Sequence, residues 1–220
     1  MDFHLERETP IHEEELHGAQ FFHGHKCPAM PQGLRAGHVA MDMLGASRAR
    51  VGGDLLAILE IGDYHFSACF ADGVQYATGC TMGKGNIIKK PMGKFALTLV
   101  DGKTRRAARV AMKYERMLMC LTMPFFEQRK QGVMPYDLDP KVVEPLITGA
   151  LTNDWRQIFD VALFEDYPLT RHGESFNAVQ CVGCRELVVR EYAVEWQGQQ
   201  FCQACFDHLV HVHAQPVGSV

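Results

Sequence analysis

Leu34, His38, Met41 and Leu44 recur at helical spacing, which predicts a helix from about Gln32 to Leu44 that Gly45 is placed to end. Upstream, Thr9 and Pro10 read as the cap and first residue of another helix. The acidic run Glu13-Glu14-Glu15 suits the positive end of its dipole, and it ends near Phe22. Between the two lies His23 to Pro28 (HGHKCP), too rich in Gly and Pro for an element interior. The run Leu55 to Ile61 is strand-like. In FSACFADGVQYATGC a short helix starts close to Cys69, capped by Ser67 or a neighbour, and TMGKGN follows as a Gly-rich loop. NIIKK reads as a short strand, and FALTLV-DGK-TRRAARV as a hairpin around Asp101-Gly102. Lys113 to Phe126 reads as a helix that Pro124 breaks only near its end. Asp139-Pro140 opens the next, with Pro145 near its first turns, and Thr152 to Ala162 reads as the last helix before the tail. Strands bunched in the middle with helices on either side predict an α+β core: a mixed or antiparallel sheet with flanking helices, not a regular βαβ alternation.

Periodicity lapses between Arg171 and Gln180, so the chain is expected to divide into a core domain (1–172) and a small C-terminal domain (173–220). The tail carries CVGC from Cys181 and CQAC from Cys202, with seventeen residues between the pairs. Each pair can fold back as a knuckle, and four thiolates meeting tetrahedrally satisfy Zn2+ without an open position. Cys181, Cys184, Cys202 and Cys205 are therefore the expected ligands of a closed, structural zinc site; iron in a rubredoxin-like site uses the same ligands. A knuckle, a hairpin (LVVREYAVEW, turn at Gln197-Gly198) and a helix through His213 opened by the second pair make a treble-clef-like arrangement.

Composition narrows the functional classes. The chain has 220 residues, 47% hydrophobic and 22% charged, so a full core is expected. A net charge of −4 removes the simplest argument for nucleic-acid or anionic-membrane binding. From Cys181 to His213, Arg185 and Arg190 face Glu186, Glu191, Glu195 and Asp207, an acidic finger where phosphate recognition needs a basic one. No apolar run reaches the roughly 18–20 residues of a membrane span. MDFHLERETP is no signal peptide, so a cytoplasmic location is expected, where clustered cysteines hold metal more readily than disulfides.

Candidate chemistry in the core starts at HGHKCP, where an extended loop could point His23, His25 and Cys27 the same way. Imidazole and thiolate suit zinc, and also nickel, copper or iron; the plain alternative is exposed loop histidines beside a structural proline. A Cys69 thiol at a helix N-terminus would feel the positive dipole and favour thiolate, with Asp72 one turn along the same face and Gln75 beyond it. The plain alternative is a buried apolar cysteine. TGCTMGKGN is not a Walker A loop, because only three residues separate Gly79 from Gly83 and Gly85 replaces the Mg2+-holding Ser or Thr. It still offers backbone N–H groups with Lys84 as a nearby cation. Met117, Met119 and Met123 near Cys120 read as core packing.

Together, HGHKCP followed by GLRAG and then CFADGVQYATGCTMGKGN resemble the FmdE family of formylmethanofuran dehydrogenase proteins over roughly Phe22 to Val110. The second block is long and unusual, which makes the resemblance specific. The family's distinctive positions fall here on His23, His25, Cys27, Cys69, Asp72, Gln75, Cys80, Lys84 and Asn86. Ala29 departs from a common Gly, and Gly73 from a usual Ala. The resemblance implies an α+β core, often a tight homodimer, a groove with a shared metal or thiol site of His23, His25, Cys27 and Cys69, and a zinc module added in some members. It also implies association with a molybdenum or tungsten enzyme of one-carbon metabolism. The chain shows no pterin-binding or ferredoxin pattern, so formylmethanofuran dehydrogenase activity by this chain alone is not expected. Three readings follow. The first is a metal-binding accessory protein with structural zinc in the tail and a second metal or reactive thiol in the core. The second is a metal- or thiol-dependent enzyme using Cys69 and the HGHKC loop, with Cys69, Asp72 and Lys84 as candidate catalytic residues and Cys69 thiolate or a metal-bound water doing the chemistry. The third is a protein or nucleic-acid adaptor acting through the finger.

Overall fold

The computed structural model describes residues 10–169 and 176–213. The chain divides into two compact units, Met1–Leu169 and Thr170–Val220; the expected boundary at 172/173 lies outside the described residues, as does Thr9. The larger unit is built on α2 (Ala29–Leu44), which is buried along nearly its whole length. Most of its residues are apolar or small, which requires enclosure, and Gln32, Arg35 and His38 are buried with them. Here α3 (His65–Thr78), β3 (Ala96–Asp101), β4 (Ala107–Met112), α6 (Pro140–Thr152) and α1 (Glu13–His23) all pack against it. It begins at Ala29, three residues before the expected Gln32. Pro31 then falls in the first turn, where a missing N–H leaves no bond unmade. Gly45 ends it in the left-handed conformation, as expected.

Glycines set how closely α2 and α3 approach. A Cβ on Gly33 would stand 1.9 Å from the Phe70 carbonyl oxygen, and one on Gly73 2.0 Å from that of Met30. The helices therefore meet backbone to backbone, and any side chain at the crossing would hold them apart.

Five strands form one sheet in the order β2-β1-β3-β4-β5, where β1 is Leu55–Leu59, β2 Ile87–Lys89 and β5 Phe159–Phe164. β1 and β2 are parallel, and the other pairs antiparallel. Leu97 faces Val110 and Val110 faces Val161 across the ladder. One face contributes Leu55, Ala57, Leu59, Leu97, Leu99 and Val110 to the core shared with α2 and α3. The other contributes Leu56, Ile58, Val100 and Ala107 to a smaller cluster under Tyr167 and Leu169. The result is the mixed sheet with flanking helices expected of an α+β core.

Other element boundaries also differ from those the sequence predicts. α1 starts at Glu13 after an extended His12, so the acidic triplet forms its whole first turn. Lys113 to Phe126 is two helices, α4 (Tyr114–Leu121) and α5 (Pro124–Lys130), because Pro124 opens the second and holds Met123 extended. The expected helix over Thr152 to Ala162 is a single turn, α7 (Trp155–Ile158), followed by β5, whose alternating burial pairs it with β4.

The smaller unit contains two hairpins and a helix. β6 (Ala178–Gln180) pairs with β7 (Leu187–Val189) around the first cysteine pair. β8 (Val194–Trp196) pairs with β9 (Gln199–Phe201) across the expected turn, where Gln197 and Gly198 both have positive φ (50° and 74°). This is the backbone that two-residue hairpins require. The LVVREYAVEW segment thus belongs to two hairpins, split at the 3-10 turn Arg190–Tyr192. α8 (Gln203–His213) carries the last cysteine in its first turn.

Candidate metal centre

Three of the four core donors come from one short segment clamped between helix ends. His23 is the last residue of α1; Gly24 turns the chain with φ 92° and donates its N–H to Gln20 O at 2.8 Å. Cys27 stands two residues before α2 and is buried. The fourth donor, buried Cys69, is delivered by α3 across the glycine crossing. Donor atoms of His23, His25, Cys27 and Cys69 all lie within 4.8 Å of one another.

His23 is fixed at both ring nitrogens. Nδ1 donates to Asp72 Oδ2 at 2.8 Å, and Nε2 lies 3.3 Å from Cys27 Sγ. Asp72 Oδ1 in turn accepts from Gln75 Nε2 at 3.2 Å. The His25 ring packs against that of His23 with centroids 4.3 Å apart. The electrostatics are those of a compact, proton-sharing cluster. Burial pulls His23 down, but its bonds to Asp72 and Cys69 outweigh that and hold it up at about 9. Burial and the neighbouring His23 push His25 below its ordinary value. The Cys69 thiol donating to Cys27 lowers Cys27 against the effect of burial, and the same bond together with burial raises Cys69.

Cys69 does not sit where the dipole argument needs it. α3 starts at His65, so Cys69 is a full turn inside the helix, and Ser67 is engaged by the Gly62 N–H at 2.9 Å. Its bond to Cys27 and burial raise the Cys69 thiol, the opposite of the lowering that a helix N-terminus would give.

The residues present fit a transition-metal ion. Two imidazoles and two thiols are a donor set that zinc and its neighbours accept. Tetrahedral coordination at about 2.0–2.3 Å puts donors about 3.3–3.8 Å apart, which the observed cluster reaches by a small contraction. The carboxylate behind His23 is the outer partner that a ligating histidine ordinarily has.

Lys84 and the other family positions separate from this cluster. Lys84 Nζ donates to the carbonyls of Gly79 and Ala49 (3.2 Å to the latter), which makes it a staple across the C-terminal end of α3. Asn86 is buried, accepting from Thr81 N–H at 2.9 Å and donating to Leu55 O at 3.1 Å. Cys80 is buried near the same turn.

A cavity of about 350 Å3 opens beside His25, Cys27 and Cys69. Phe95, Met112, Met117, Leu121, Phe125 and Phe126 give it apolar walls, and its polar lining includes Gln32, Arg129 and Lys130. None of these three was singled out from the sequence. The sequence signal was Gln32, a polar residue set among Met30, Pro31, Gly33 and Leu34 at the start of a helix.

In the smaller unit the four sulfurs of Cys181, Cys184, Cys202 and Cys205 also lie within 4.8 Å of one another. Cys202 N–H donates to Cys181 Sγ at 3.2 Å, and Cys205 N–H to Cys202 Sγ at 3.4 Å. The backbone N–H groups of Cys184 and Cys202 pull the Cys181 thiol down to about 6. Gly183 is required in the knuckle, since a Cβ there would lie 2.8 Å from Cys205 Sγ. Such a cluster fits a small zinc finger.

The profile of the family described as "FmdE, Molybdenum formylmethanofuran dehydrogenase operon" matches residues 22–160. A "Probable S-adenosyl-L-methionine-binding protein" of Archaeoglobus fulgidus is 31% identical over 180 residues, covering 78% of this chain. The chain spans about half the length of that relative (48%). Among solved structures, a tungsten formylmethanofuran dehydrogenase FmdE-like protein from Syntrophus aciditrophicus superposes with a TM-score of 0.54. It is 25% identical, with 89% of this chain and 92% of that one covered. No helix among the described residues is long and apolar enough to cross a membrane. The matched stretch contains every core donor and covers more than half of the chain, which belongs to the FmdE family.

Proposed function

We propose that this chain is a metal-binding accessory protein of the formylmethanofuran dehydrogenase system of one-carbon metabolism, acting in the cytoplasm as a homodimer. Its core holds a transition-metal ion on His23, His25, Cys27 and Cys69, and its tail is a treble-clef-like finger folded around structural zinc on Cys181, Cys184, Cys202 and Cys205. The observation that carries the reading is the convergence of four core donors with Asp72 bonded behind His23. Asp72 keeps Nε2 of His23 turned toward Cys27. Bound there, the ion supplies a fixed positive charge and a Lewis acid beside the cavity. For the tail, the support is size: Cys181 and Phe201 are its buried apolar residues among those described. So small a core needs metal as part of its folding energy.

The test is metal content of the full chain against two double variants. The wild type should carry two equivalents per chain, Cys181→Ser/Cys202→Ser one, and Cys27→Ser/Cys69→Ser one. Core-variant protein with undiminished metal overturns the core site, and tail-variant protein with undiminished metal overturns the finger. A sedimentation mass of 24.7 kDa instead of twice that would remove the dimer.

An enzymatic reading keeps one specific observation in its favour, which is that the cavity reaches three of the four donors. In that reading Cys69 and Asp72 act at the metal edge. Lys84, the third residue of that reading, donates to the backbone carbonyls of Gly79 and Ala49.

A further inference from the structure

The cavity beside the core donors has a one-sided charge. Arg129 and Lys130, at the end of α5, line it, and no Asp or Glu does among the described residues. Arg129 spends part of its fork on the chain that follows, donating from Nη1 to Val133 O. A guanidinium carries five N–H donors, so the rest of the fork is left for a ligand. At about 350 Å3 the cavity falls in the lower part of the range of small-molecule sites.

Gln32 adds a second, independent constraint. It lines the same cavity, is only 3% exposed, and its Oε1 has no hydrogen-bond partner among the described residues. Buried amide oxygens are ordinarily satisfied, and an exception calls for an explanation. Phe95, Leu121 and Phe125, which line the same cavity, have no side-chain donor to offer. The Gln32 amide turns freely about its last bond, and once its oxygen faces the cavity a ligand N–H or O–H answers the need.

We propose that this cavity binds a small organic anion with an apolar body, its carboxylate held by Arg129 and Lys130 and an N–H or O–H group donated to Gln32 Oε1. The apolar part lies against Phe95, Leu121 and Phe125. The proposal deepens the metal-site reading and rests on it for what the ligand meets at the cavity floor. It names the substrate or effector class as an acylated amino acid or a compound of that pattern: one negative charge, one donor and one apolar group. Cationic and doubly charged polar molecules are excluded by Arg129 and Lys130 in the first case and by the apolar walls in the second.

The test is calorimetric titration of the full, metal-assayed chain with three N-acylglycinates (acetyl, hexanoyl and benzoyl). Hexanoyl or benzoylglycinate should bind. The matching neutral glycinamide and the N-methylated glycinate, which lacks the N–H, should each bind about tenfold more weakly. Arg129→Gln should abolish the preference for the carboxylate over the amide. Gln32→Leu should abolish the preference for N–H over N–CH3, while Gln32→Glu, of nearly the same shape, should repel the anion. Core metal at one equivalent with no acylglycinate bound, or with no preference for the anion, overturns this proposal and leaves the metal reading standing. Arg129-dependent anion binding by a chain with an empty core site overturns the metal reading and leaves the pocket's ligand class standing.

Discussion

Replacing Gly33 with alanine tests whether the glycine crossing is what brings Cys69 to the other donors. The new Cβ would lie 1.9 Å from the Phe70 carbonyl oxygen, and ordinary contact begins at 3.4 Å, so α2 and α3 must part by about 1.5 Å. The obstacle is backbone, which has no rotamer to swing away. Overpacking of this kind costs about 1–3 kcal/mol. With backbone as the obstacle we take the upper end, less the roughly 1 kcal/mol that alanine gains over glycine inside a helix. A net loss of about 2 kcal/mol lowers Tm by about 4–8 °C for a unit of this size. The larger effect is on the site. Metal–donor distances tolerate about 0.2 Å, so a displacement several times larger at Cys69 should cost the core metal while the tail metal stays. Calorimetry and metal analysis of the same sample read both effects. Gly83→Ala is the control, since nothing lies within 4 Å of a Cβ there. A Gly33→Ala protein with wild-type Tm and an undiminished core metal would refute the argument.

Asp72→Asn should leave the fold intact and weaken core metal binding about 10–100-fold, because the partner that fixes the His23 ring is made neutral; competition with a chromophoric chelator measures it. Glu60 receives Arg109 through two bonds of 2.7 Å, and that guanidinium holds its carboxyl below the usual range. A depressed carboxylate contributes stability that is complete above its unfolded value of 4.5 and is lost as pH falls through the folded one. Denaturation curves of the wild type should therefore weaken on acidification below about pH 4.5, and Glu60→Gln should be less stable at pH 7 by about 2 kcal/mol and flatter across that window. Cys181→Ser/Cys202→Ser should unfold residues 176–213 as judged by proteolysis, with core metal and core Tm unchanged. A lowered core Tm in that variant would show that the two units do not fold independently.

Much of the core was legible because its signals were local. Gly45 marks a helix end whose backbone only certain residues adopt, and HGHKCP interrupts two helical patterns; in the tail Gly198 marks a turn in the same way. β5 was missed because Trp155, Ile158 and Phe159 fit a helical stripe while Phe159, Val161 and Leu163 fit a strand. The choice was made by the open edge of β4, which no local pattern reveals. The same limit applies to the site. Ser67 looked like a cap at the start of a helix, but its hydroxyl is used by Gly62 and the helix begins earlier, which moved Cys69 away from the dipole. Lys84 looked like a ligand-facing cation because chain proximity says nothing of the two carbonyls that fold back onto it. Arg129 and Lys130 lie about sixty residues from the nearest core donor in sequence and meet the cavity only through the packing of α5.

The donors are unevenly supplied along the chain: His23, His25 and Cys27 sit within one five-residue segment, whereas Cys69 comes with α3. Exchange of a bound ion would accordingly be governed by how often α3 lifts from α2, since that opening removes one ligand and leaves three in place. Metal release then becomes a clock for a partial unfolding event. Its rate should follow the hydrogen-exchange rates of α3 amides and not those of the sheet.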